Sequence, residues 1–573
     1  MIKKYTTWKI ASPAPKEFKN KIKDYSNVII DLLYSRLGNN PKDIKDFFQP
    51  DYEKGIYDPF ILKDMEKAVD RILEARKRKE KVIIFGDYDV DGITSSAVMT
   101  DVLTRLKIEN SIYIPDRGKE GYGMNEKAVK YLARKKTNLI VTVDCGVRDI
   151  KEIELAKELG MEVVVTDHHL PGKKIPKAVA VVNPHRKDDG YPWKDLAGVG
   201  VAFKLACALI QKSPKGVFKE GYEKWLLDLV ALGTVADMVP LKKENRVLVK
   251  YGLIVLGKTK RLGIKALFKK SRLPLSAKEI PNTGQISFQI APRLNSAGRM
   301  DHANTAFCLI TSQDEQETEL IADSLELKNG RRQRVTEKIV KEIEKKIDLK
   351  QKVVFLGGED WPIGILGLVA GRVCDRFCRP TFIFNKDKDG CRGSIRSIPK
   401  FKVVKVLEEC KKFFSEYGGH DMAGGFVFPL KNLKSLKKKV EQIAQDLLQE
   451  KDLSSETLID RRLDFSEIDW KLINDLSLME PFGMGNSAPL FLAEKVVLDR
   501  CQIVGNGSKH LKMRLRQDNF FFEAIAFGKG EQFCHLVDCQ NPLLDIVFEL
   551  SNDEWNGNKR IQLLIREMRQ SPK

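Results

Sequence analysis

Three short apolar runs, Val82-Ile83-Ile84-Phe85, Leu139-Ile140-Val141-Thr142-Val143 and Val163-Val164-Val165-Thr166, each stop at a cluster of acids or imidazoles. The first leads into Asp87-Tyr88-Asp89-Val90-Asp91-Gly92, the second into Asp144-Cys145-Gly146 and the third into Asp167-His168-His169. Apolar runs of this length bounded by turn residues read as buried strands, and in open α/β sheets metal ions and phosphates collect at the carboxyl ends of such strands. Helices are expected between them over residues 93–106, 125–135 and 151–159, giving the strand, helix, strand order of a parallel sheet. Right-handed crossovers then bring the strand ends to one edge. A single Asp-Gly after a strand can be a plain turn. Three such endings, one with paired histidines in a chain that has only seven, read as a metal site.

At 573 residues the chain is too long for one core, and two to four domains are expected. A content of 42% apolar and 31% charged residues belongs to a soluble globular protein and argues against disorder. The basic start Met1-Ile2-Lys3-Lys4-Tyr5 is followed by no apolar stretch, and no run approaches the ~20 apolar residues of a membrane span. A cytoplasmic protein with no membrane partner is therefore expected. Ten cysteines, without Cys-x-x-Cys or zinc-finger spacing, read as reduced thiols. The net charge of +20 points to a polyanion, although solvated lysine-rich helices produce the same excess. The acids at the strand ends weigh more, because divalent cations let a carboxylate cluster face a phosphate.

The fold class expected is multidomain α/β. Residues 1–75 read as an N-terminal helical segment, 76–315 as a parallel-sheet domain, 316–350 as a long connecting helix, and 351–450 as a second α/β domain. The helix has Leu320, Ile321, Leu325, Ile339 and Ile343 among its apolar positions. Residues 451–573 comprise a linker and short alternating strands near 512–516, 521–527, 544–550 and 560–566, which suit a small β-barrel of the oligonucleotide-binding (OB) type. An unrelated sandwich is the alternative.

Together with Gly233-Thr234-Val235-Ala236-Asp237, the three strand-end motifs resemble the DHH phosphoesterase superfamily. The match is closest to its branch of bacterial single-strand-specific DNA exonucleases. Ala291-Pro292-Arg293-Leu294-Asn295-Ser296-Ala297-Gly298-Arg299-Met300, Gly418-Gly419-His420 with Ala423-Gly424-Gly425-Phe426, and Glu480-Pro481-Phe482-Gly483-Met484-Gly485-Asn486 look like further signatures of that branch. The resemblance implies a DHH domain, a DHHA1 domain and a C-terminal OB fold. It also implies stepwise 5′-to-3′ hydrolysis of single-stranded DNA to mononucleotides in recombination and repair, by a nucleoid-associated cytoplasmic enzyme of bacterial type. Single-strand-binding protein and a helicase are the implied partners, and a monomer is expected.

Two-metal hydrolysis needs one group that bridges both ions and others that hold each separately. Carry-over from the superfamily gives Asp89 and Asp91 to the first motif, makes Asp144 the bridge, lets His168 and Asp237 complete the second ion, and puts Asp87 in or beside the ligand set. His169 is expected to support a ligand or to face the scissile phosphate. Asp167 can simply brace its loop. Carboxylates mixed with imidazole suit two Mn²⁺ ions, with Mg²⁺ as a weaker substitute. A 5′ phosphate calls for fixed bidentate donors. Arg117, Ser394 and Arg396 resemble the branch's 5′-phosphate pocket, while Arg293 and Arg299 fall nearer the scissile region, Asn295 is a further substrate-binding candidate, and His420 faces the phosphate backbone. For Arg293 a plain salt bridge competes. Phe520, Phe521, Phe522 and Phe527 with Lys512, Arg514 and Arg516 could bind bases and phosphates in the barrel, about half of those rings being core. One departure stands out: Trp361-Pro362-Ile363-Gly364 has proline where the branch usually shows histidine.

Two other readings remain. A DHH phosphodiesterase of short oligonucleotides or cyclic dinucleotides would usually lack the C-terminal strands. A catalytically inactive DNA-binding scaffold would have lost metal ligands, and here every motif position is filled.

Overall fold

The computed structural model describes residues 6–22, 24–38, 42–388, 390–505, 509–534, 536, 541–555 and 558–572. The basic start at residues 1–5 lies outside them. Contacts divide the chain into two compact units, Asp51–Leu453 and Met1–Pro50 with Ser454–Lys573. The segment expected over 1–75 is thus shared between the two.

In the larger unit, five parallel strands stand in the order Asn110–Tyr113, Val82–Gly86, Leu139–Val143, Glu162–Thr166, Ala180–Val182. Val82–Gly86 and Leu139–Val143 are buried throughout, as continuous apolar runs in a sheet covered on both faces should be. One face carries the helices Met65–Arg78, Val90–Arg105, Gly198–Lys212 and Leu227–Ala236, and the other Glu126–Arg134 and Ile150–Glu158. The chain moves outward on opposite sides of Val82–Gly86, so the crevice at the switch point opens between the ends of Val82–Gly86 and Leu139–Val143. Asp87 and Asp144 stand at those two ends.

The connecting helix runs from Glu315 to Glu344, capped by Asp314, whose carboxylate accepts the Glu317 N–H at 3.0 Å. Ala322 and Leu325 pack in the core of the parallel sheet, Ile339, Val340 and Ile343 in that of the next domain, and Leu320 stays exposed. Beyond it a mixed sheet has the order Glu416–His420, Ala423–Phe428, Gly390–Arg396, Thr381–Asp387, Val354–Glu359, with only the last pair parallel.

In the smaller unit, strands Phe491–Val504, His510–Gln517, Phe520–Ala526, Asn558–Gln570 and Leu543–Trp555 pair in that order, and Leu543–Trp555 returns to Phe491–Val504. This closure makes a five-stranded barrel rather than a sandwich. Its core takes in Phe18, Ile29, Leu32 and Leu33 from helices Lys16–Lys21 and Asn27–Leu37, and Thr6–Ile10 pairs with Ser455–Ile459. Phe522 turns toward this core, edge-on to Phe465 at 5.2 Å, whereas Phe520, Phe521 and Phe527 are exposed. Arg514 stacks over the Phe521 ring at 4.9 Å. No helix among the described residues is long and apolar enough to cross a membrane.

Candidate metal centre

Each acid is set by the element beside it. Asp89 caps the helix Val90–Arg105, its carboxylate accepting the N–H groups of Asp91 and Gly92 at 2.9 and 3.2 Å. Asp91, buried in the first turn, accepts the N–H groups of Gly198 and Val199 at 2.6 and 2.8 Å, at the start of the helix Gly198–Lys212. The positive end of that helix dipole is spent on this carboxylate. Asp144 has a left-handed backbone, φ 62°, and its side chain lies against Gly198, where a Cβ would come within 2.6 Å of Oδ1. Asp237 caps the carboxyl end of the helix Leu227–Ala236.

His168 brings these groups to one point. Its Nε2 lies 3.1 Å from Asp144 Oδ1 and 3.8 Å from both Asp91 Oδ2 and Asp237 Oδ2. Three sets of ligand atoms converge within 4.8 Å: Asp87, Asp89 and Asp144; Asp91, His168 and Asp237; Asp144, His168 and His169. Asp144 joins two of them. Asp87 Oδ1, Asp144 Oδ1 and His168 Nε2 are buried and have no hydrogen-bond partner among the described residues. Buried lone pairs left unsatisfied are costly, and three of them aimed at one space fit a divalent cation.

The electrostatics agree. Burial, followed by the charge of Asp89, raises Asp87 well above the carboxylate range and lifts Asp91 to about 7. Burial and Asp91 raise Asp144 strongly and Asp237 to about 9. Burial and the neighbouring His169 hold His168 down at about 4, so its ring is a neutral donor of a lone pair. Carboxylates packed this way ionise together only when a cation offsets their repulsion. Asp167 braces the loop, taking the N–H groups of His168 and His169 at 2.7 and 3.0 Å and His169 Nδ1 at 2.8 Å. Burial alone would lower His169, but this bond to Asp167 raises it.

Asn295 is joined to the acids through the Val90 N–H, which donates to its Oδ1 at 3.2 Å. Arg117 lies 4.8 Å over the Tyr88 ring. Arg299 donates to the Gly364 carbonyl at 3.2 Å, and burial together with Arg117 and Arg332 depresses it to about 9. Arg396 contacts Ser394 Oγ at 3.3 Å and is lowered by burial and by Arg117. Arg332, which the sequence reading missed, is buried on the connecting helix and donates to Asn329 Oδ1 at 2.9 Å. Its signal was available, since Asn329, Arg332 and Thr336 interrupt the buried stripe between Leu325 and Ile339 at helical spacing. None of these four arginines pairs with a carboxylate among the described residues, and Arg117 repels both Arg299 and Arg396. Arg293 stands apart, held by Glu326 at 2.5 and 3.2 Å.

His420 ends its strand facing a cavity of about 220 Å³ that it shares with Gly419, Tyr122, Arg148, Asp167 and His169. Pro362 caps the helix Ile363–Phe377, whose Gly364 packs on the Arg299 backbone. The neighbouring Trp361 donates its main-chain N–H to Asn385 Oδ1 at 3.0 Å.

A strand-end cluster of this kind, opposed by a second α/β domain with a Gly-Gly-His strand end, defines a DHH-type protein. Residues 81–234 match the DHH family N-terminal domain and 350–446 the DHHA1 domain. Residues 459–567 match the RecJ OB domain. The chain is 36% identical to the single-stranded-DNA-specific exonuclease RecJ of Bacillus subtilis, over 98% of its own length and 70% of the relative's. It is 31% identical to that of Escherichia coli, over 88% and 90%. The crystal structure of RecJ from Thermus thermophilus in complex with Mn²⁺ superposes with a TM-score of 0.83 at 26% identity, covering 99% of this chain and 80% of that one. The chain belongs to the RecJ family.

Proposed function

We propose that the chain is a single-stranded-DNA-specific exonuclease that works 5′ to 3′, releases 5′-mononucleotides by two-metal hydrolysis, and serves DNA recombination and repair. The observation that carries this reading is the convergence of the unpartnered Asp87 Oδ1, Asp144 Oδ1 and His168 Nε2 beside a group of arginines without carboxylate partners. The substrate comes from the relatives, which are named single-stranded-DNA-specific exonucleases.

Asp87, Asp89, Asp91, Asp144, His168 and Asp237 would hold the cations, Mn²⁺ in preference to Mg²⁺. When bound, two divalent ions supply Lewis-acid polarisation of the phosphate and a more acidic attacking water. The chain's own residues do the rest. His168 contributes a neutral lone pair, while His169, fixed by Asp167, and His420 stand on two walls of one cavity where phosphate charge can be met. Arg117, Ser394 and Arg396 would take the terminal 5′ phosphate, whose charge relieves the repulsion between the two arginines, with Arg299 and Arg332 beside them toward the scissile bond. A fixed end pocket beside a fixed metal centre sets the cut at a constant distance from the end, which is why mononucleotides leave. Asn295 tethers the acid loop, and Arg293 acts through Glu326.

A monomer in the cytoplasm, at the nucleoid, working with single-strand-binding protein and a helicase, fits this role. The test is digestion of a long single strand labelled at either end, with Mn²⁺, beside its blunt duplex and an Asp144→Ala control. Release of 5′-labelled mononucleotide from the single strand alone supports the reading. Survival of long strands with loss of two- to five-nucleotide pieces would replace it with a small-substrate phosphodiesterase.

A further inference from the structure

Tyr122 takes no part in the reading above, yet its setting is built. The loop Glu120-Gly121-Tyr122-Gly123-Met124 joins the strand Asn110–Tyr113 to the helix Glu126–Arg134 and is fixed on both sides of the tyrosine. Glu120 accepts the Tyr113 hydroxyl and the Asp116 N–H, both at 2.7 Å, and Asp149 accepts the Met124 N–H at 2.7 Å. Gly123, at φ +78°, rests against the Asp149 carboxylate, where a Cβ would come within 2.8 Å. No L side chain adopts that conformation readily, and none fits that space.

The loop presents Tyr122 the reverse way from an ordinary core tyrosine. The residue is 47% exposed, yet its hydroxyl reaches inward to the Asp144 main chain. The hydroxyl donates to the Asp144 main-chain carbonyl at 3.1 Å and lies 3.0 Å from His169 Nδ1. The ring stands edge-on to the His169 imidazole at 5.4 Å. The Asp144 backbone needs holding, because φ 62° is a conformation L-residues seldom adopt. Its N–H is tied to the Thr166 carbonyl at 3.1 Å and its carbonyl to Tyr122, so both ends of this residue are pinned.

We propose that Tyr122 is a positioning residue of the metal centre, its hydroxyl locking the Asp144 main chain to the His169 ring so that the loops bearing Asp144 and His168 keep one register when cations bind. The proposal rests on the two-metal reading of this site. Loss of a group that orients a metal ligand typically costs about 10- to 100-fold in metal affinity or activity. Tyr122→Phe keeps the ring and removes only the oxygen.

The experiment titrates Mn²⁺ into the full-length chain without DNA, by calorimetry and by the electron paramagnetic resonance of the free ion, for wild type, Tyr122→Phe and Asp144→Ala. It then measures kcat and KM on single-stranded DNA. Tyr122→Phe is expected to weaken Mn²⁺ binding and to lower kcat by about tenfold each, with KM and the metal-free melting temperature unchanged. Wild-type Mn²⁺ affinity in the Phe variant overturns the proposal, as does a rise in KM alone, which would make the exposed ring a DNA contact. If Tyr122→Phe does not fold, Asp149→Ala decides: it frees the loop and leaves the hydroxyl, and undiminished Mn²⁺ binding there is refuting. A wild-type chain that binds Mn²⁺ through Asp144 but digests no DNA ends the exonuclease reading and leaves the Tyr122 result to stand on the Mn²⁺ titration.

Discussion

Gly198→Ala puts one methyl group between a helix and a metal ligand. The backbone at Gly198 is helical and tolerates alanine, so the effect is steric and local. A Cβ there would sit 2.6 Å from Asp144 Oδ1 and 2.7 Å from both its Cβ and Cγ. Ordinary contact between such atoms begins near ~3.5 Å, so the carboxylate or the helix start must move by most of an ångström. Neither can yield freely, because the Gly198 N–H holds Asp91 Oδ2 at 2.6 Å and the Asp144 backbone is tied on both sides. A gain in helix propensity of roughly 0.5–1 kcal/mol opposes an overpacking cost of about 1–3 kcal/mol, so the variant stays folded. A catalytic group displaced by about 1 Å loses on the order of 100-fold in rate. Turnover of end-labelled single-stranded DNA and Mn²⁺ affinity are the assays, with Gly200→Ala as control. The nearest atom to a Cβ at Gly200 is Leu196 Cδ2 at 3.3 Å, a methyl that can rotate away, and the next is Leu196 Cβ at an ordinary 3.4 Å. Near-wild-type turnover and Mn²⁺ affinity in Gly198→Ala would refute the argument that Asp144 is held rigidly against the helix.

The metal-free chain should lose stability as pH rises. Asp91 at about 7 and Asp237 at about 9 keep protons that the unfolded chain releases near pH 4, so the stability these two groups contribute is fully present below that and is lost as pH rises through the folded values. The gap in melting temperature between Mn²⁺-loaded and metal-free protein should therefore widen from pH 6 to 9, and a constant gap would contradict the assignment. Arg396→Ala should lower kcat/KM by about 10- to 100-fold on 5′-phosphorylated strands and much less on 5′-hydroxyl strands; equal losses on both would remove Arg396 from an end pocket. Lys204 and Glu244 form a fully buried pair 2.8 Å apart, and Lys204→Ala should cost about 3–5 kcal/mol in urea unfolding by stranding Glu244. A loss below about 1 kcal/mol would show that water reaches the pair.

The parallel sheet was legible because strands buried on both faces are continuous apolar runs, so Val82–Gly86 and Leu139–Val143 announce both themselves and the acids at their ends. The barrel was legible from short alternating strands, although which of its phenylalanines turn inward depends on pairing register, and only Phe522 does so toward Phe465. The pairing of Thr6–Ile10 with Ser455–Ile459 was not legible, since residues some 450 positions apart leave no local pattern. Gly198 reads as an ordinary helix start, and Tyr122 as an ordinary loop tyrosine. Their contributions consist of space and hydrogen bonds to Asp144, which only the folded chain creates.

The helix Glu315–Glu344 lends Ala322 and Leu325 to one core and Ile339, Val340 and Ile343 to the next. A cut on either side of this helix therefore takes apolar side chains from one of the two cores it joins. A nuclease half cut at its start would have a hole where Leu325 belongs, and one cut at its end would trail a greasy tail that invites aggregation. The same helix also supplies Arg332, so an exchange between relatives keeps both cores and this arginine together when the stretch from Asp51 to Leu453 moves whole.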